Sequence, residues 1–289
     1  MSNRIDKTFN SLRQENRKAF IPFTVLGYPD RETSLTAIQT MIDNGADVLE
    51  LGLPFSDPMA DGQIIESASK AVVETGFTTG DALELIASIR ERNKNIPIVI
   101  MSYFNLALAR GIEKFMKDLN SAGADGITFV DLPPEEGESV FTIAKENGIA
   151  PVMLVSPLTS PERLTRILAH ASGYLYLISR AGTTGIAEKF DDKLSTLIAM
   201  LRSQSQLPVC IGFGISKPEH VTKMLDLGAD GVVVGSKLVE ILKDLSLPDP
   251  KTSDVTTHNP NARNDLFTAA VKQLVQATAK IEQCTSLQS

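Results

Sequence analysis

Cysteine is nearly absent from this chain: 289 residues hold only Cys210 and Cys284. Two thiols so far apart, without companion ligands at metal-binding spacing, exclude a disulfide framework and a structural zinc site and point to a reducing compartment. Long apolar runs are missing too. Nowhere do 18 apolar residues follow one another, and Met1–Phe20 has no apolar core of the secretory-signal kind, so a soluble cytoplasmic protein is expected. Positive charge is scarce and dispersed. The net charge is −7, and no basic stripe is present, which argues against a nucleic-acid or anionic membrane partner. Any anionic ligand must therefore be held by local groups. The three histidines, His170, His220 and His258, fall on helical stretches or the polar tail, so none is assigned a catalytic or metal role.

What is present is a repeat. With 43% hydrophobic residues the chain has ample material for one large core, and residues 1–289 are read as a single domain. Short β-branched runs recur at Ala19–Leu26, Asp47–Leu51, Ile96–Ser102, Asp125–Val130, Ala150–Val155, Tyr174–Ser179, Leu207–Ile211 and Gly231–Val234, eight strands in all. Between them the apolar spacing changes to three and four, as at Leu83, Ile86, Ala87 and Ile89, or Val221, Met224 and Leu225, which is the helix period. Odd-numbered strands open near a proline (Pro22, Pro97, Pro151, Pro208), tolerated at a strand's first residue. Three even-numbered strands follow Gly-Ala-Asp, at Gly45–Asp47, Gly123–Asp125 and Gly228–Asp230, and the fourth follows Ala171–Gly173. Each glycine suits the left-handed position that ends a helix. A pair of βα units occurring four times predicts an α/β fold, a (β/α)8 TIM barrel, with its reactive residues on the loops after the strands. A doubly wound open sheet has the same periodicity and stays open as the alternative.

An extra N-terminal helix is expected over Asn3–Asn16, as a plug at the barrel's bottom, and a C-terminal helix over Asp265–Ile281, with Leu266, Ala269, Ala270 and Leu274 facing the barrel. Residues 246–263, rich in Pro, Asp, Thr and Asn, read as an exposed loop before that last helix.

The run Leu49–Gly62 carries the strongest chemical signal. It sets Glu50 inside an apolar strand, with Asp57 and Asp61 on the following loop. A carboxylate on a buried strand takes up a proton or is held by partners, and either state suits proton transfer. Glycine-bearing turns follow strands six, seven and eight at Arg180–Gly185, Gly212–Gly214 and Gly235–Ser236. Backbone N–H groups at Gly214, Gly235 and Ser236 would hold a phosphate without side-chain charge. The loop Ser179–Gly185 has a lid's composition, with Thr184 able to orient a carboxylate and Arg180 either functional or bracing the loop. Tyr103 and Tyr176 lie near strand ends, and Phe23, Met101, Phe129, Ile178 and Phe213 would line a pocket for a flat aromatic group.

These motifs resemble the tryptophan synthase alpha chain family. Leu49–Gly62 matches that family's signature throughout, and Ile21–Phe23, Val130–Pro133, Ser179–Gly185, Gly212–Ile215 and Gly235–Ser236 follow in its order and spacing. The resemblance implies a lyase that splits indole-3-glycerol phosphate into indole and glyceraldehyde 3-phosphate by a retro-aldol step in tryptophan biosynthesis. It also implies that Glu50 is the acid and Asp61 the anion near the indole N–H. Glu50 after its first transfer and Tyr176 are both candidates for the base. The substrate-binding positions carried over are Phe23, Met101, Tyr103, Tyr176, Thr184, Gly185, Phe213, Gly214, Gly235 and Ser236. No metal or organic cofactor is implied in this chain. The implied partner is the pyridoxal-phosphate-dependent beta chain in an alpha2beta2 heterotetramer, with loop Pro54–Asp61 facing it and coupling the two chains allosterically.

The chain departs from the family's usual pattern at Gln63, Glu66 and Met101 and in the longer tail, none of which touches Glu50 or Asp61. A sugar-phosphate isomerase or epimerase would share the glycine turns but usually needs a different base or a metal at the strand ends. A chain that only clamps and activates its partner, and a stand-alone lyase, are the remaining alternatives. Activity with and without an added beta chain separates them.

Overall fold

The computed structural model describes residues 3–178, 187–212, 214–246 and 260–279. Among these, nine strands and twelve helices follow one another. The first arc comprises α1 (Arg4–Gln14), β1 (Ala19–Val25), α2 (Arg31–Asp43), β2 (Leu49–Gly52), α3 (Gln63–Glu74), α4 (Thr79–Arg92), β3 (Ile98–Ser102), α5 (Phe104–Arg110), α6 (Ile112–Ala122), β4 (Gly126–Phe129), α7 (Glu138–Glu146) and β5 (Ala150–Pro151). The second comprises β6 (Met153–Val155), α8 (Pro161–His170), β7 (Leu175–Ile178), α9 (Ala187–Gln204), β8 (Val209–Gly212), α10 (Pro218–Asp226), β9 (Gly231–Val234), α11 (Ser236–Ser246) and α12 (Pro260–Ala279).

All pairings are parallel, in the order β5-β4-β3-β2-β1-β9-β8-β7-β6. The expected eight strands become nine because the fifth run divides at Val152. Its first half pairs with β4 (Gly126↔Ala150, Ile127↔Pro151) and its second half with β7 (Met153↔Leu175 to Val155↔Leu177). The Val152 N–H donates to the Ile127 carbonyl at 2.8 Å. One short segment thus serves both ends of the sheet and closes the barrel, which removes the open-sheet alternative. Pro22 sits inside β1 rather than at its start, in register with Val234.

The Gly-Ala-Asp repeat does more than end helices. Gly45, Gly123 and Gly228 have φ of +103°, +98° and +101°, the left-handed values expected. The aspartate that follows clasps the neighbouring odd strand twice, by its N–H and by its carboxylate. Asp47 donates to the Phe20 carbonyl (3.0 Å) and accepts from the Phe20 N–H (2.9 Å). Asp125 does the same with Ile98 (2.8 and 2.9 Å), and Asp230 with Val209 (2.7 and 3.0 Å). Each carboxylate is also paired with arginine: Asp47 with Arg17, Asp125 with Arg90 and Arg4, Asp230 with Arg202. The barrel's N-terminal rim is built from these clasps.

At Asp125 the pair with Arg90 is buried, the two side chains being 4% and 10% exposed. Asp125→Ala strands that guanidinium in the interior, so we expect a loss of about 3–5 kcal/mol in urea unfolding. Asp230→Ala, whose Arg202 is half-exposed, should cost clearly less.

Helix α1 plugs the bottom as expected: Asn3 caps it through the Asp6 N–H (3.0 Å), and Ile5, Phe9 and Leu12 are buried. A Cβ placed on Gly126 or Gly173 would lie 3.1 or 3.3 Å from Ile5 Cδ1, so Ile5 fits where those strands' bases carry no side chain. The last helix differs from expectation. It begins at Pro260, and Ser246 belongs to α11, so both ends of the expected 246–263 loop are helical; residues 247–259 lie outside the described residues. Its buried face is Phe267, Val271, Leu274 and Ala277, whereas Leu266 is 67% exposed and Ala269 faces solvent. Leu274 is buried as expected and Ala270 is half-buried, while Phe267 and Val271 take the core places expected of Leu266 and Ala269. Among the described residues no helix is long and apolar enough to cross a membrane.

Candidate active site

Register fixes which side chains enter the barrel. Phe23, Glu50, Val99 and Gly126 are aligned across β1 to β4, and Tyr176, Cys210, Gly231 and Ala19 across β7, β8, β9 and β1. Side chains alternate along each strand, so Glu50, Thr128, Tyr174, Tyr176 and Cys210 are the polar groups on the interior face.

Glu50 is the second residue of β2 and is fully buried. Neither carboxylate oxygen has a hydrogen-bond partner among the described residues. Burial pushes its pKa up to about 8, so at neutral pH it is predominantly a neutral acid with a proton to give. Among the described residues the hydroxyls of Thr24, Thr128 and Tyr174 are buried and unpartnered as well, Thr128 and Tyr174 sharing the lumen with Glu50 and Thr24 facing the helices from β1. A lumen that leaves three polar side chains unsatisfied forgoes stability, and such departures concentrate where chemistry is done. The sequence reading singled out neither Thr128 nor Tyr174. The available signal was parity, since Tyr174 stands two residues before Tyr176.

Asp61 lies on the loop after β2, next to Tyr103, which follows β3. The Tyr103 hydroxyl donates to Asp61 Oδ2 at 3.2 Å and accepts from the Ala60 N–H at 2.9 Å. Burial raises the Asp61 pKa to about 6; the Tyr103 hydrogen bond opposes that rise and the charge of Glu66 adds to it. Glu66 is itself paired with Lys70 at 2.6 Å on the partly exposed face of α3. Gln63 opens α3 behind Gly62, which offers no side-chain cap. Glu50 and Asp61 are not hydrogen-bonded to each other.

Glycines make room for the rings at the mouth. A Cβ on Gly212 would overlap the Tyr176 hydroxyl, and one on Gly52 or Gly235 would come within 2.8 or 2.9 Å of Phe23. Phe23, Val25, Gly52, Asp61, Met101 and Tyr103 enclose a slot of about 10 Å³, enough for about one water until its walls part. A wider hollow of about 500 Å³ lies at the opposite end, between α1 and the turn before β3. Arg17 there pairs with both Glu15 and Asp47, and Arg92 and Lys94 also line the hollow, so size does not mark the site here.

Gly214 has φ +75°, and Gly235 precedes Ser236, the first residue of α11. The Leu238 N–H of its first turn donates to the Gly235 carbonyl (2.8 Å), whereas the N–H groups of Ser236 and Lys237 precede the reach of any carbonyl within the helix and suit an anion. Thr184, Gly185 and Phe213, with Arg180, lie outside the described residues. Phe129 was expected in the pocket, but Thr128, not Phe129, is in register with Met101. Phe129 faces outward and packs edge-on against Phe104, ring centroids 5.5 Å apart. Among the described residues no group of three or more His, Cys, Asp or Glu is placed to hold a metal ion, and Cys210 is a buried free thiol.

A closed parallel barrel with a proton-bearing glutamic acid in its lumen, a second carboxylate at its mouth and a helix N-terminus nearby defines an acid/base enzyme of the (β/α)8 class. Comparison with known proteins makes the assignment specific. The family model described as "Tryptophan synthase alpha chain" matches residues 9–272, and the chain belongs to that family. It is 39% identical to the tryptophan synthase alpha chain of Chloroflexus aggregans over 279 residues, 96% of this chain and 99% of that one. With that of Gloeobacter violaceus it shares 44% over 239 residues, 83% and 86% of the two chains. Among solved structures, tryptophan synthase subunit alpha from Legionella pneumophila superposes with a TM-score of 0.85 at 33% identity, covering 97% of this chain and 100% of that one. A chain of the tryptophan synthase complex from Pyrococcus furiosus gives 0.77 at 32% identity, covering 90% and 99%.

Proposed function

We propose that Glu50 and Asp61 divide the proton chemistry by which this chain cleaves indole-3-glycerol phosphate to indole and glyceraldehyde 3-phosphate, the alpha reaction of tryptophan biosynthesis. The family makes the chain a carbon–carbon lyase and gives it a tryptophan synthase beta chain as partner. Indole leaves poorly as a carbanion. Once C3 is protonated the ring becomes an indolenine, and the bond to the glycerol phosphate side chain then breaks with its electrons drawn into the ring. Glu50 supplies that proton, and Asp61, as the anion, stabilises the positive charge that develops on the ring nitrogen. The side-chain hydroxyl next to the breaking bond loses its proton to the carboxylate Glu50 has become, either directly or through the Tyr176 hydroxyl, which burial keeps protonated and which would accept that proton only while handing its own to Glu50. Phe23, Met101, Tyr103 and Phe213 flank the indole. Thr184 orients Asp61, and Gly185, Gly214, Gly235 and Ser236 take the phosphate by backbone and hydroxyl donors. The observation that carries this reading is the full burial of Glu50 on β2 with both oxygens unpartnered among the described residues.

In this reading residues 1–289 act as one cytoplasmic domain without a metal or organic cofactor. Pyridoxal phosphate belongs to the beta partner of the heterotetramer. The mouth of the barrel suits a protein neighbour, for Met59 after β2 and Leu158 after β6 are 94% and 95% exposed.

Release of glyceraldehyde 3-phosphate by the purified chain, alone and with excess beta chain, tests the assignment. Slow cleavage that rises strongly with beta chain is the expected result. No cleavage of indole-3-glycerol phosphate in either case would overturn the reading. The pH dependence adds a second check. Asp61 must be ionised and Glu50 protonated, so kcat/KM should be bell-shaped, falling below about pH 6 and above about pH 8. The chain's activity at pH 9 matching that at pH 7 would remove Glu50 as the acid.

A further inference from the structure

The loop Pro54–Gly62 has no regular secondary structure, yet it must hold Asp61 to a fraction of an ångström. Within its tip the bonds are local: the Met59 N–H donates to the Asp57 carbonyl (2.8 Å), the Asp61 N–H to the Pro58 carbonyl (3.1 Å) and the Ser56 hydroxyl to Asp57 (2.6 Å). Among the described residues, two side chains from elsewhere reach it by hydrogen bonds. One is Tyr103. The other is Ser69, in the middle of α3 and 3% exposed. Its hydroxyl accepts from the Phe55 N–H at 2.8 Å and donates to the Phe55 carbonyl at 3.0 Å.

That orientation is unusual for a serine inside a helix, whose hydroxyl ordinarily bonds the carbonyl four residues back. Ser67, two residues earlier in α3, does just that, donating to Gln63 at 2.7 Å. Ser69 turns away from its own helix and satisfies both polar groups of one loop residue. Phe55, so fixed, stacks its ring on Tyr103, with centroids 4.8 Å apart and planes 21° apart. Tyr103 in turn holds both the Ala60 N–H and the Asp61 carboxylate.

We infer that Ser69 is a positioning residue for catalysis, setting the place of Asp61 through Phe55 and Tyr103. The inference rests on the role proposed for Asp61. Removing the hydroxyl leaves both polar groups of Phe55 without this partner and frees the ring that braces Tyr103. Misplacing a charge-stabilising group costs chemistry more than ground-state binding.

The test is indole-3-glycerol phosphate cleavage by Ser69→Ala, Tyr103→Phe, the double variant and Asp61→Asn, each saturated with beta chain. Ser69→Ala is expected to lower kcat about tenfold with KM within about twofold. In the Tyr103→Phe background the same change should cost less than about twofold, because residues acting in series are not additive. Full additivity, or an unchanged kcat, overturns the inference. Where Ser69→Ala does not fold, Ser69→Cys, close in size and a much weaker hydrogen-bonding group, is read in its place by the same criteria. Asp61→Asn separates the two levels. Full activity there defeats the role of Asp61 itself, and loss of activity there with a normal Ser69→Ala defeats only the positioning role.

Discussion

Glu50→Gln is expected to lower kcat for indole-3-glycerol phosphate cleavage by about three orders of magnitude, with substrate affinity changed only a few-fold. The amide keeps the shape of the side chain and removes the proton that C3 must receive. Steady-state kinetics with excess beta chain measures both quantities, and a variant with near-normal kcat ends the assignment of Glu50 as the acid. The same substitution should change stability in a direction opposite to its effect on rate. Folding lifts the Glu50 pKa from about 4.5 to about 8, so the folded chain holds a proton that the unfolded chain releases. Stability from this group is complete below about pH 4.5 and is lost as the pH rises through about 8. Between pH 5 and pH 8 the loss is on the order of 3 kcal/mol, and Glu50→Gln does not suffer it. Urea unfolding at the two pH values should therefore show a smaller pH-dependent loss for the variant than for the parent chain.

Asp61→Asn ranks second. Neutralising this anion should cost at least about two orders of magnitude in kcat, the usual effect of removing a charge aimed at a developing opposite charge. It should also abolish the fall in activity below about pH 6, because the group that titrates there is gone. Stopped-assay kinetics from pH 5 to pH 9 read both effects together. Retained activity would restrict Asp61 to holding its loop through Tyr103.

The difference in legibility between these two carboxylates and their supports has a physical basis. Glu50 could be picked out because a charged residue inside an apolar strand violates a local rule, and that violation is visible in the sequence. Asp61 became specific through the family resemblance, since an aspartate in a loop breaks no rule. Ser69 was invisible, because its work lies 14 residues back along the chain and a serine in a helix is unremarked. Phe129 was misplaced because standing at a strand end says nothing about which face a side chain takes; register with Met101 decides it. The four-fold βα repeat was plain from spacing, whereas the aspartates of Gly-Ala-Asp revealed their clasping role only when the neighbouring strand was in place. In α12 the apolar spacing allowed two phases, and small Ala269 and Ala270 could not discriminate between them as Phe267 does.

The division of the fifth run at Val152 gives the barrel a seam. Two paired residues join one side of it and three the other, while β1 is held to β2 by three and to β9 by four. Helix α12 packs over β1, α2 and α10, bracing the opposite junction from outside. The shortest run of register in the wall thus lies within residues 150–155, while that of β1 with β9 is among the longest, and local opening is expected to cost least at the former. Glu50, on β2 within the braced arc, stands apart from that stretch.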